Sequence, residues 1–484
     1  MAVLEGSTLT LTAFPPDNPK LSVCGVQRLP ITDAYRPLSC DMHISLPELA
    51  LVLLIGPSGA GKSTFARRHF LPTEVVSSDR CRALVCDDEN EQSVTADAFE
   101  ILHLIVAKRL KLGKFTVVDA TNVQPDARRS LIALARHYHC PSIAIVLDMP
   151  LWLCLERNTV RRDRNLAHGV IRGHRAQLHD SLPGLAKEGF RQVHVFRNFA
   201  ELENLSLSRQ PNRANQTSET GPFDLVGDVH GCFDELAALL GVLGYRVSHG
   251  VAGYEVYHPE GRKLVFLGDL VDRGPKTPEV LRLAMDAVKS GDAFCVAGNH
   301  DQKLIKALQG RKVTMSHGLA ESMRQLEDES EEFRAAVVDF LGARPGHYVF
   351  DGGQLVAAHA GLREEMQGRC SGRVLNFCLY GETSGAVDEF GLPVRHNWAD
   401  SYRGRAMVVY GHTPVAEPQW LNNTLCIDTG CVFGGRLTAL RYPEKELASV
   451  PALAQYFKPA RPIAVAAPKP KPAQPVETSD AGWA

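Results

Sequence analysis

The sequence lacks any apolar run approaching the roughly 18 residues that a membrane-spanning helix needs. Its longest uninterrupted apolar run, residues 49–55, has the length of one buried strand. The N-terminus also lacks a basic region followed by an apolar stretch, so we expect no secretion signal. These absences argue against a membrane protein and against an exported one.

Cysteine pairs are missing as well, because none of the 12 cysteines forms a Cys-x-x-Cys spacing. Cys232, Cys295 and Cys431 lie in or beside motifs, where a disulfide would interfere. We therefore expect reduced thiols and a cytoplasmic protein.

The chain also lacks a large excess of either charge, since its formal net charge is −2. Any contact with nucleic acid must therefore come from a local basic patch. The 484 residues are 44% hydrophobic and 22% charged, as in ordinary globular proteins. A chain of this length and composition predicts two to four domains.

Composition and periodicity divide the chain into five parts. Residues 1–41 predict a weakly structured extension. Strand and helix patterns alternate over 42–202, which predicts a parallel sheet with helices on both faces. Residues 203–222 are polar and predict a linker. A second α/β domain is predicted over 223–445, and an Ala/Pro-rich disordered tail over 446–484.

A phosphate-binding loop stands in the first domain. Residues 56–64 read Gly-Pro-Ser-Gly-Ala-Gly-Lys-Ser-Thr, which fits G-x-x-x-x-G-K-[ST] between a strand and a helix. In this pattern Lys62 neutralises phosphate oxygens and Ser63 joins the shell of Mg²⁺. We predict that ATP or another NTP binds here with Mg²⁺. The predicted binding residues are Gly56, Gly59, Gly61, Lys62, Ser63 and Thr64.

Four further residues of this domain are candidates for catalysis. Asp79 can accept the proton of an attacking hydroxyl, and Arg82 can hold a phosphate of the acceptor. The alternative is a helix-capping aspartate beside a solvated arginine. Arg157 and Arg161 belong to an arginine-rich segment that can stabilise transition-state charge. The alternative here is a solvated basic helix face.

Five motifs with metal-binding residues follow strand patterns in the second domain. They read Gly-Asp-Val-His-Gly, Gly-Asp-Leu-Val-Asp-Arg-Gly, Gly-Asn-His-Asp, His-Ala-Gly and Gly-His-Thr. Carboxylate, imidazole and amide ligands favour Mn²⁺ or another first-row divalent ion, and paired ions can bind and hydrolyse a phosphoester. The predicted metal ligands are Asp228, His230, Asp269, Asn299, His359 and His412.

Residues around these ligands have predicted roles of their own. Arg273 can clamp phosphate oxygens, and His300 can protonate the leaving oxygen. We predict that Asp301 orients His300, that Asp272 supports Arg273, and that Asp428 supports the ligands from behind. His174, His179 and His317 are interpreted as surface or core histidines.

Together the motifs between about residues 42 and 441 resemble the bacterial polynucleotide kinase-phosphatase family, which heals RNA ends. The resemblance implies a P-loop kinase domain joined to a calcineurin-like metallophosphoesterase domain, an α/β/β/α sandwich. It implies that Lys62 and Ser63 bind NTP and Mg²⁺, that Asp79 is the base for a 5′-hydroxyl, and that Arg82 holds the 3′-side phosphate. Arg157 and Arg161 would be lid arginines.

By the same resemblance, the second domain would remove 3′-phosphate or 2′,3′-cyclic phosphate from RNA or DNA ends with Mn²⁺ or Ni²⁺. The chain departs from the longer members of that family, because it has no Lys-x-Asp-Gly nucleotidyl site. The resemblance therefore implies healing without sealing, and a separate ligase as partner.

A second function stays open. The phosphoesterase motifs are shared with protein Ser/Thr phosphatases and dinucleoside-tetraphosphate hydrolases. The first domain would then be a small-metabolite kinase or a regulatory ATP-binding domain. Ser-Ser-Asp-x-x-Arg, residues 77–82, favours end-healing because it suits a hydroxyl next to a phosphate. The preference for RNA or DNA and a homodimeric state stay open.

Overall fold

The computed structural model describes residues 21–22, 42–161, 166–251, 253–389 and 393–463. Most of the predicted N-terminal extension and the end of the predicted tail lie outside the described residues. Among those described, no helix combines the length and the apolar character that a bilayer crossing requires.

The chain divides into two compact units. The first comprises the described residues up to Asn212 together with Gly368–Arg373. The second comprises Arg213–Gln367 and the described residues from Val374 onward.

Strands and helices alternate in the first unit. Its strands are β1 Leu21–Ser22, β2 Met42–Pro47, β3 Leu51–Ile55, β4 Val75–Ser77, β5 Thr116–Asp119, β6 Ser142–Leu147, β7 Gln192–Phe196 and β8 Leu205–Gln210. Its helices are α1 Lys62–His69, α2 Ser78–Cys86, α3 Thr95–Lys111, α4 Pro125–His137, α5 Leu151–Val160, α6 His168–Ser181 and α7 Phe199–Glu203.

The main sheet of the first unit has the order β1-β7-β6-β3-β5-β4, and its neighbouring strands pair in parallel. All residues of β3, β5 and β6 are buried, as expected for central strands covered on both faces. Separate apolar clusters lie on the two faces of this sheet. The predicted parallel sheet with helices on both faces is therefore confirmed. The phosphate-binding loop follows β3 directly, at the carboxyl edge of the sheet.

The second unit is richer in strands. They are β9 Asn215–Gln216, β10 Phe223–Val226, β11 Arg246–Gly250, β12 Gly253–Tyr257, β13 Lys263–Phe266, β14 Ala293–Cys295, β15 His347–Phe350, β16 Leu355–Ala358, β17 Glu382–Val387, β18 Pro393–His396, β19 Met407–Tyr410, β20 Gln419–Leu421, β21 Thr424–Cys426, β22 Arg436–Tyr442 and β23 Glu446–Pro451. The helices are α8 Phe233–Leu243, α9 Thr277–Ser290, α10 Asn299–Leu308, α11 Leu319–Glu327, α12 Glu331–Gly342, α13 Gly372–Tyr380 and α14 Trp398–Ser401.

Two sheets pack face to face in this unit, with orders β14-β13-β10-β22-β23 and β20-β21-β19-β16-β15-β9. One apolar cluster, including Phe223, Leu267 and Phe350, draws its residues from both sheets. Two other clusters pack helices against the sheets, one with residues of α8 to α12 and one with residues of α13 and α14. The predicted α/β/β/α sandwich is therefore confirmed.

Two predicted segments differ from the structure. The predicted linker 203–222 contains β8, which pairs in parallel with β2, and β9, which pairs with β15. Both pairs use backbone hydrogen bonds that a polar composition does not reveal. The predicted tail was placed too early, because residues 446–451 form β23 against β22.

Candidate active sites

The phosphate-binding loop has the backbone that its glycines predict. Gly59 and Gly61 have φ of +83° and +98°, in the region that favours glycine. A Cβ atom on Gly59 would lie 2.3 Å from the carbonyl oxygen of Cys154. The loop therefore needs glycine at position 59 for its conformation and for space.

Lys62 is held across this loop rather than extended into solvent. Its Nζ atom donates to the carbonyl oxygens of Gly56 at 2.8 Å and Pro57 at 2.9 Å. The side chain is only 8% exposed. The ammonium group is therefore fixed beside the backbone amides that would receive the phosphates.

Asp119 lies beside the loop at the end of β5. Burial raises the pKa of its carboxyl group, while the Lys62 charge and a hydrogen bond from Ser63 lower it. The arrangement brings together a carboxylate, a hydroxyl and an ammonium group. Such a set can hold Mg²⁺ with a triphosphate, because the carboxylate and hydroxyl supply hard oxygen ligands.

One cavity of about 960 Å³ joins this loop to the predicted acceptor residues. Asp79, Arg82, Arg157 and Arg161 all line it. Arg82 Nη1 donates to Asp79 Oδ1 at 2.5 Å, so the predicted base and phosphate-binding group form an ion pair. Residues 77–82 thus place a proton acceptor and a cation on the wall of one cavity.

The arginine-rich segment divides into different roles. Arg157 stacks over the ring of Phe199 at 4.7 Å from its centroid, next to Gly61. Arg175 donates to the carbonyl oxygen of Met149, which is a structural contact. Residues 162–165 lie outside the described residues. Among the described arginines of this segment, Arg157 and Arg161 therefore line the cavity.

In the second unit, the predicted ligands stand where strands end. Asp228 and His230 follow β10, Asp269 follows β13, His359 follows β16 and His412 follows β19. His230, Asp269 and His412 have φ of +47°, +47° and +71°. Non-glycine residues rarely adopt this backbone, and it clusters at functional sites.

The ligand atoms converge around Asp269 and His359. His359 Nε2 lies 2.9 Å from Asn299 Oδ1, 2.9 Å from His412 Nδ1 and 3.4 Å from Asp269 Oδ2. His230 Nε2 lies 3.6 Å from Asp269 Oδ2 on the other side. Asp269 is therefore shared by two groups of possible ligand atoms, one with His230 and His300 and the other with His359 and His412, and within each group the atoms lie within 4.8 Å of one another. A carboxylate in this position can bridge two ions.

Backbone carbonyls fix the imidazole rings. His230 Nδ1 bonds Val271 O at 2.7 Å, and His359 Nδ1 bonds Leu267 O at 3.0 Å. Because the carbonyls accept protons from the Nδ1 atoms, the Nε2 lone pairs face the cluster. Metal-ligating histidines commonly have this arrangement.

The donor set fits divalent cations. Burial lowers the pKa of His359 to about 3 and raises the pKa of Asp228 and Asp269 well above its usual range. Neutral imidazoles cannot offset the repulsion between the buried carboxylates, whereas cations can. His412 Nε2 is also buried without a hydrogen-bond partner among the described residues.

Arg273 and His300 border this cluster. Arg273 Nη1 donates to His230 Nε2 at 2.7 Å, and Nη2 donates to His300 Nε2 at 2.9 Å. The guanidinium carbon lies 5.1 Å from the Phe433 ring centroid, so the planar group is held on one side. The predicted clamp and the predicted acid thus lie beside the predicted ligands.

The predicted partner of His300 was wrong. His300 Nδ1 bonds Asp272 Oδ2 at 2.5 Å. Asp301 instead accepts backbone hydrogen bonds from Leu270 at 3.0 Å and Gly298 at 3.1 Å. Asp301 therefore fixes the loops that carry Asp269 and Asn299, and Asp272 orients the imidazole.

Sequence reasoning missed two residues at the sites. His174 was interpreted as a surface or core residue, but its Nδ1 lies 3.4 Å from Ser58 Oγ on the cavity wall. Arg395 on β18 donates from Nη1 to Thr413 Oγ1 at 3.1 Å, next to His412. His174 stands beside Arg175 in the arginine-rich segment, which was a usable signal, whereas no motif surrounds Arg395.

The folds and sites define a P-loop domain and a metallophosphoesterase domain in one chain. Residues 51–183 match the family described as AAA domain, and residues 221–416 match the family described as calcineurin-like phosphoesterase.

Relatives named asymmetrical bis(5′-nucleosyl)-tetraphosphatase PrpE match about half of the chain. The protein of Anoxybacillus flavithermus is 45% identical over 238 residues, which cover 48% of this chain and 96% of the relative. The protein of Halalkalibacterium halodurans is 47% identical over 234 residues, covering 48% and 94%. The protein of Bacillus subtilis is 44% identical over 238 residues, covering 48% and 96%. The chain belongs to the calcineurin-like phosphoesterase family that includes these proteins.

Proposed function

We propose that the chain carries two phosphate chemistries. The second domain hydrolyses a nucleotide polyphosphate of the dinucleoside tetraphosphate class, using two divalent ions. The first domain transfers a phosphoryl group from an Mg²⁺-bound NTP to a hydroxyl. The observation that carries the hydrolase proposal is the shared position of Asp269 between two ligand groups. The names of the relatives support the substrate class.

The hydrolase proposal needs residues that hold two divalent ions. The ions, Mn²⁺ or Ni²⁺, would be held by Asp228, His230, Asp269, Asn299, His359 and His412. When bound, they supply charge neutralisation at the phosphate and lower the pKa of the attacking water.

The chain's own residues complete the hydrolysis. Arg273 binds the phosphate oxygens in a forked geometry. A water oxygen bonds to the phosphorus atom and gives up a proton to solvent, while the bond to the leaving phosphate oxygen breaks. That oxygen takes the Nε2 proton of protonated His300, which then regains a proton from solvent. Asp272 keeps the Nδ1 side of the imidazole hydrogen-bonded throughout.

Diadenosine tetraphosphate with Mn²⁺ tests the hydrolase proposal. Asymmetrical cleavage gives ATP and AMP, symmetrical cleavage gives two ADP, and chromatography of the products distinguishes them. Asp269→Asn should abolish either cleavage. A wild-type protein that hydrolyses p-nitrophenyl phosphate but leaves the tetraphosphate intact would refute the substrate class.

A second candidate function is the healing of RNA or DNA ends, favoured by the Asp79–Arg82 pair in the phosphate-loop cavity. A 5′-hydroxyl oxygen would attack the γ-phosphorus of NTP, the bond to the β–γ bridging oxygen would break, and Asp79 would take the hydroxyl proton. Arg82 would hold the neighbouring phosphate. The second domain would then remove 3′-phosphate ends, and a separate ligase would seal them.

Phosphate transfer from labelled ATP to a 5′-hydroxyl RNA oligonucleotide tests this function, with a DNA oligonucleotide of equal sequence in parallel. Asp79→Asn should abolish labelling while hydrolysis of p-nitrophenyl phosphate continues. Absence of labelling of both oligonucleotides by the wild-type protein would contradict the end-healing proposal.

A further inference from the structure

A second group of positive charge borders the metal-ligand cluster. Arg395 bonds Thr413, the residue that follows the predicted ligand His412. Its guanidinium group therefore lies at the end of β19 that carries His412. This arginine is distinct from Arg273, which contacts His230 and His300.

Arg461 adds a like charge beside Arg395. Besides burial, the Arg461 charge is the largest cause that lowers the pKa of Arg395. Asp388 Oδ2 lies 3.7 Å from Arg461 Nη1, and the half-exposed arginine makes this a weak pair. The carboxylate that acts on Arg395 is that of Asp269, and the predicted metal ions would neutralise the charge of Asp269. The positive charges of Arg395 and Arg461 are thus only weakly compensated by nearby carboxylates.

The donors of Arg395 are also incompletely used. Its Nε atom is buried and has no hydrogen-bond partner among the described residues. Buried donors are normally satisfied, and a forked guanidinium matches phosphate oxygens. The missing acceptor and the surplus charge both indicate an anion.

The segment that carries Arg461 is fastened near the site. The backbone N–H groups of Tyr456 and Phe457 donate to Val432 O at 3.1 Å and 3.0 Å. The Phe457 ring centroid lies 5.9 Å from the guanidinium carbon of Arg273. The chain leading to Arg461 therefore runs past the predicted phosphate clamp.

We propose that Arg395 and Arg461 form a subsite for the phosphate group next to the one that is attacked. The inference rests on the proposed hydrolase function and names the feature that selects its substrate. A polyphosphate chain would occupy Arg273 with one phosphate and the arginine pair with the next. A phosphomonoester would use Arg273 alone.

Two substrates and one inhibitor test the subsite in the full chain with Mn²⁺. Arg461→Gln and Arg395→Gln are compared with Arg405→Gln, an exposed arginine of the same domain. We expect both subsite variants to lower the ratio of kcat/KM for diadenosine tetraphosphate to kcat/KM for p-nitrophenyl phosphate by about fivefold or more. Arg405→Gln should keep the wild-type ratio.

Inhibition of p-nitrophenyl phosphate hydrolysis gives an independent reading. Inorganic tripolyphosphate should inhibit wild type more strongly than inorganic phosphate, and the subsite variants should lose that difference. An unchanged ratio and unchanged inhibition in both variants would overturn the subsite. If wild type fails to cleave the tetraphosphate, the proposed function fails, and tripolyphosphate inhibition alone decides whether the subsite exists.

Discussion

The hydrogen bond between His300 and Asp272 predicts how the second domain treats different leaving groups. Asp272 is fully buried, and its Oδ2 lies 2.5 Å from His300 Nδ1. Asp272→Asn replaces the carboxylate by a neutral amide of the same size. The imidazole keeps its place but loses the negative charge that stabilises its protonated form.

The bond is charge-assisted whenever His300 carries the proton that it donates. Such hydrogen bonds contribute about 1.5–3 kcal/mol. Because about 1.4 kcal/mol corresponds to a factor of ten in rate, kcat should fall by about 10- to 150-fold. The full loss should be seen only where the leaving oxygen needs a proton.

The assay compares an alkyl phosphate with p-nitrophenyl phosphate under saturating Mn²⁺. We expect the full decrease for the alkyl ester and a decrease of less than about fivefold for the nitrophenyl ester, since its phenolate leaves without protonation. Asp286→Asn is the matched control, because it is the same substitution in the same domain and Asp286 accepts its hydrogen bond from the backbone N–H of Tyr254. An equal decrease for both esters in Asp272→Asn would refute a positioning role for Asp272.

Three other predictions concern stability and the loop. Gly59→Ala should abolish ATP binding in a calorimetric titration, because the added methyl group would meet the Cys154 carbonyl oxygen. The control is Gly184→Ala, which should bind ATP normally because a Cβ atom there meets nothing within 4 Å. Glu188→Gln should destabilise the first domain by about 3–5 kcal/mol in denaturant unfolding, since it removes the charge that pairs with fully buried Arg128; wild-type stability would contradict this. Metal-free protein should lose stability in thermal unfolding as the pH rises from about 6.5 to about 7.5, through the folded pKa of Asp301, and Mn²⁺ should suppress the loss. Burial raises the pKa of Asp301 to about 7 and that of Asp228 and Asp269 well above normal, so these carboxyls favour the folded state when protonated and oppose it as pH rises through their folded values. The buried imidazoles act in the opposite direction only below about pH 6.5, where the unfolded state takes up their protons, so they do not mask this loss.

The convergence of the predicted ligand residues could be predicted from the sequence for a physical reason. Asp228 and Asp269 follow β10 and β13, which are neighbours in one sheet, whereas His359 and His412 follow β16 and β19, which are neighbours in the other. Order along the chain predicts convergence within each pair, and the packing of the two sheets brings the pairs together. The same reasoning placed Lys62 and Ser63 at a strand–helix turn.

Contacts between side chains were harder to predict. Asp272 and Asp301 both lie beside predicted site residues in sequence, and only the turn after β13 decides which of them reaches His300. Arg395 reaches Thr413 from a hairpin whose residues carry no motif. Strand β23 was missed because the composition of the tail was extended back over residues that pair with β22.

The left-handed backbone at His230, Asp269 and His412 has an evolutionary consequence. Each of these conformations costs of the order of 1–3 kcal/mol for a residue with a side chain, and glycine would adopt it with less strain. Selection for thermal stability alone would therefore favour glycine at these positions and remove the ligands while keeping the fold. Descendants that kept this sandwich without phosphoesterase activity would be expected to carry glycine there first.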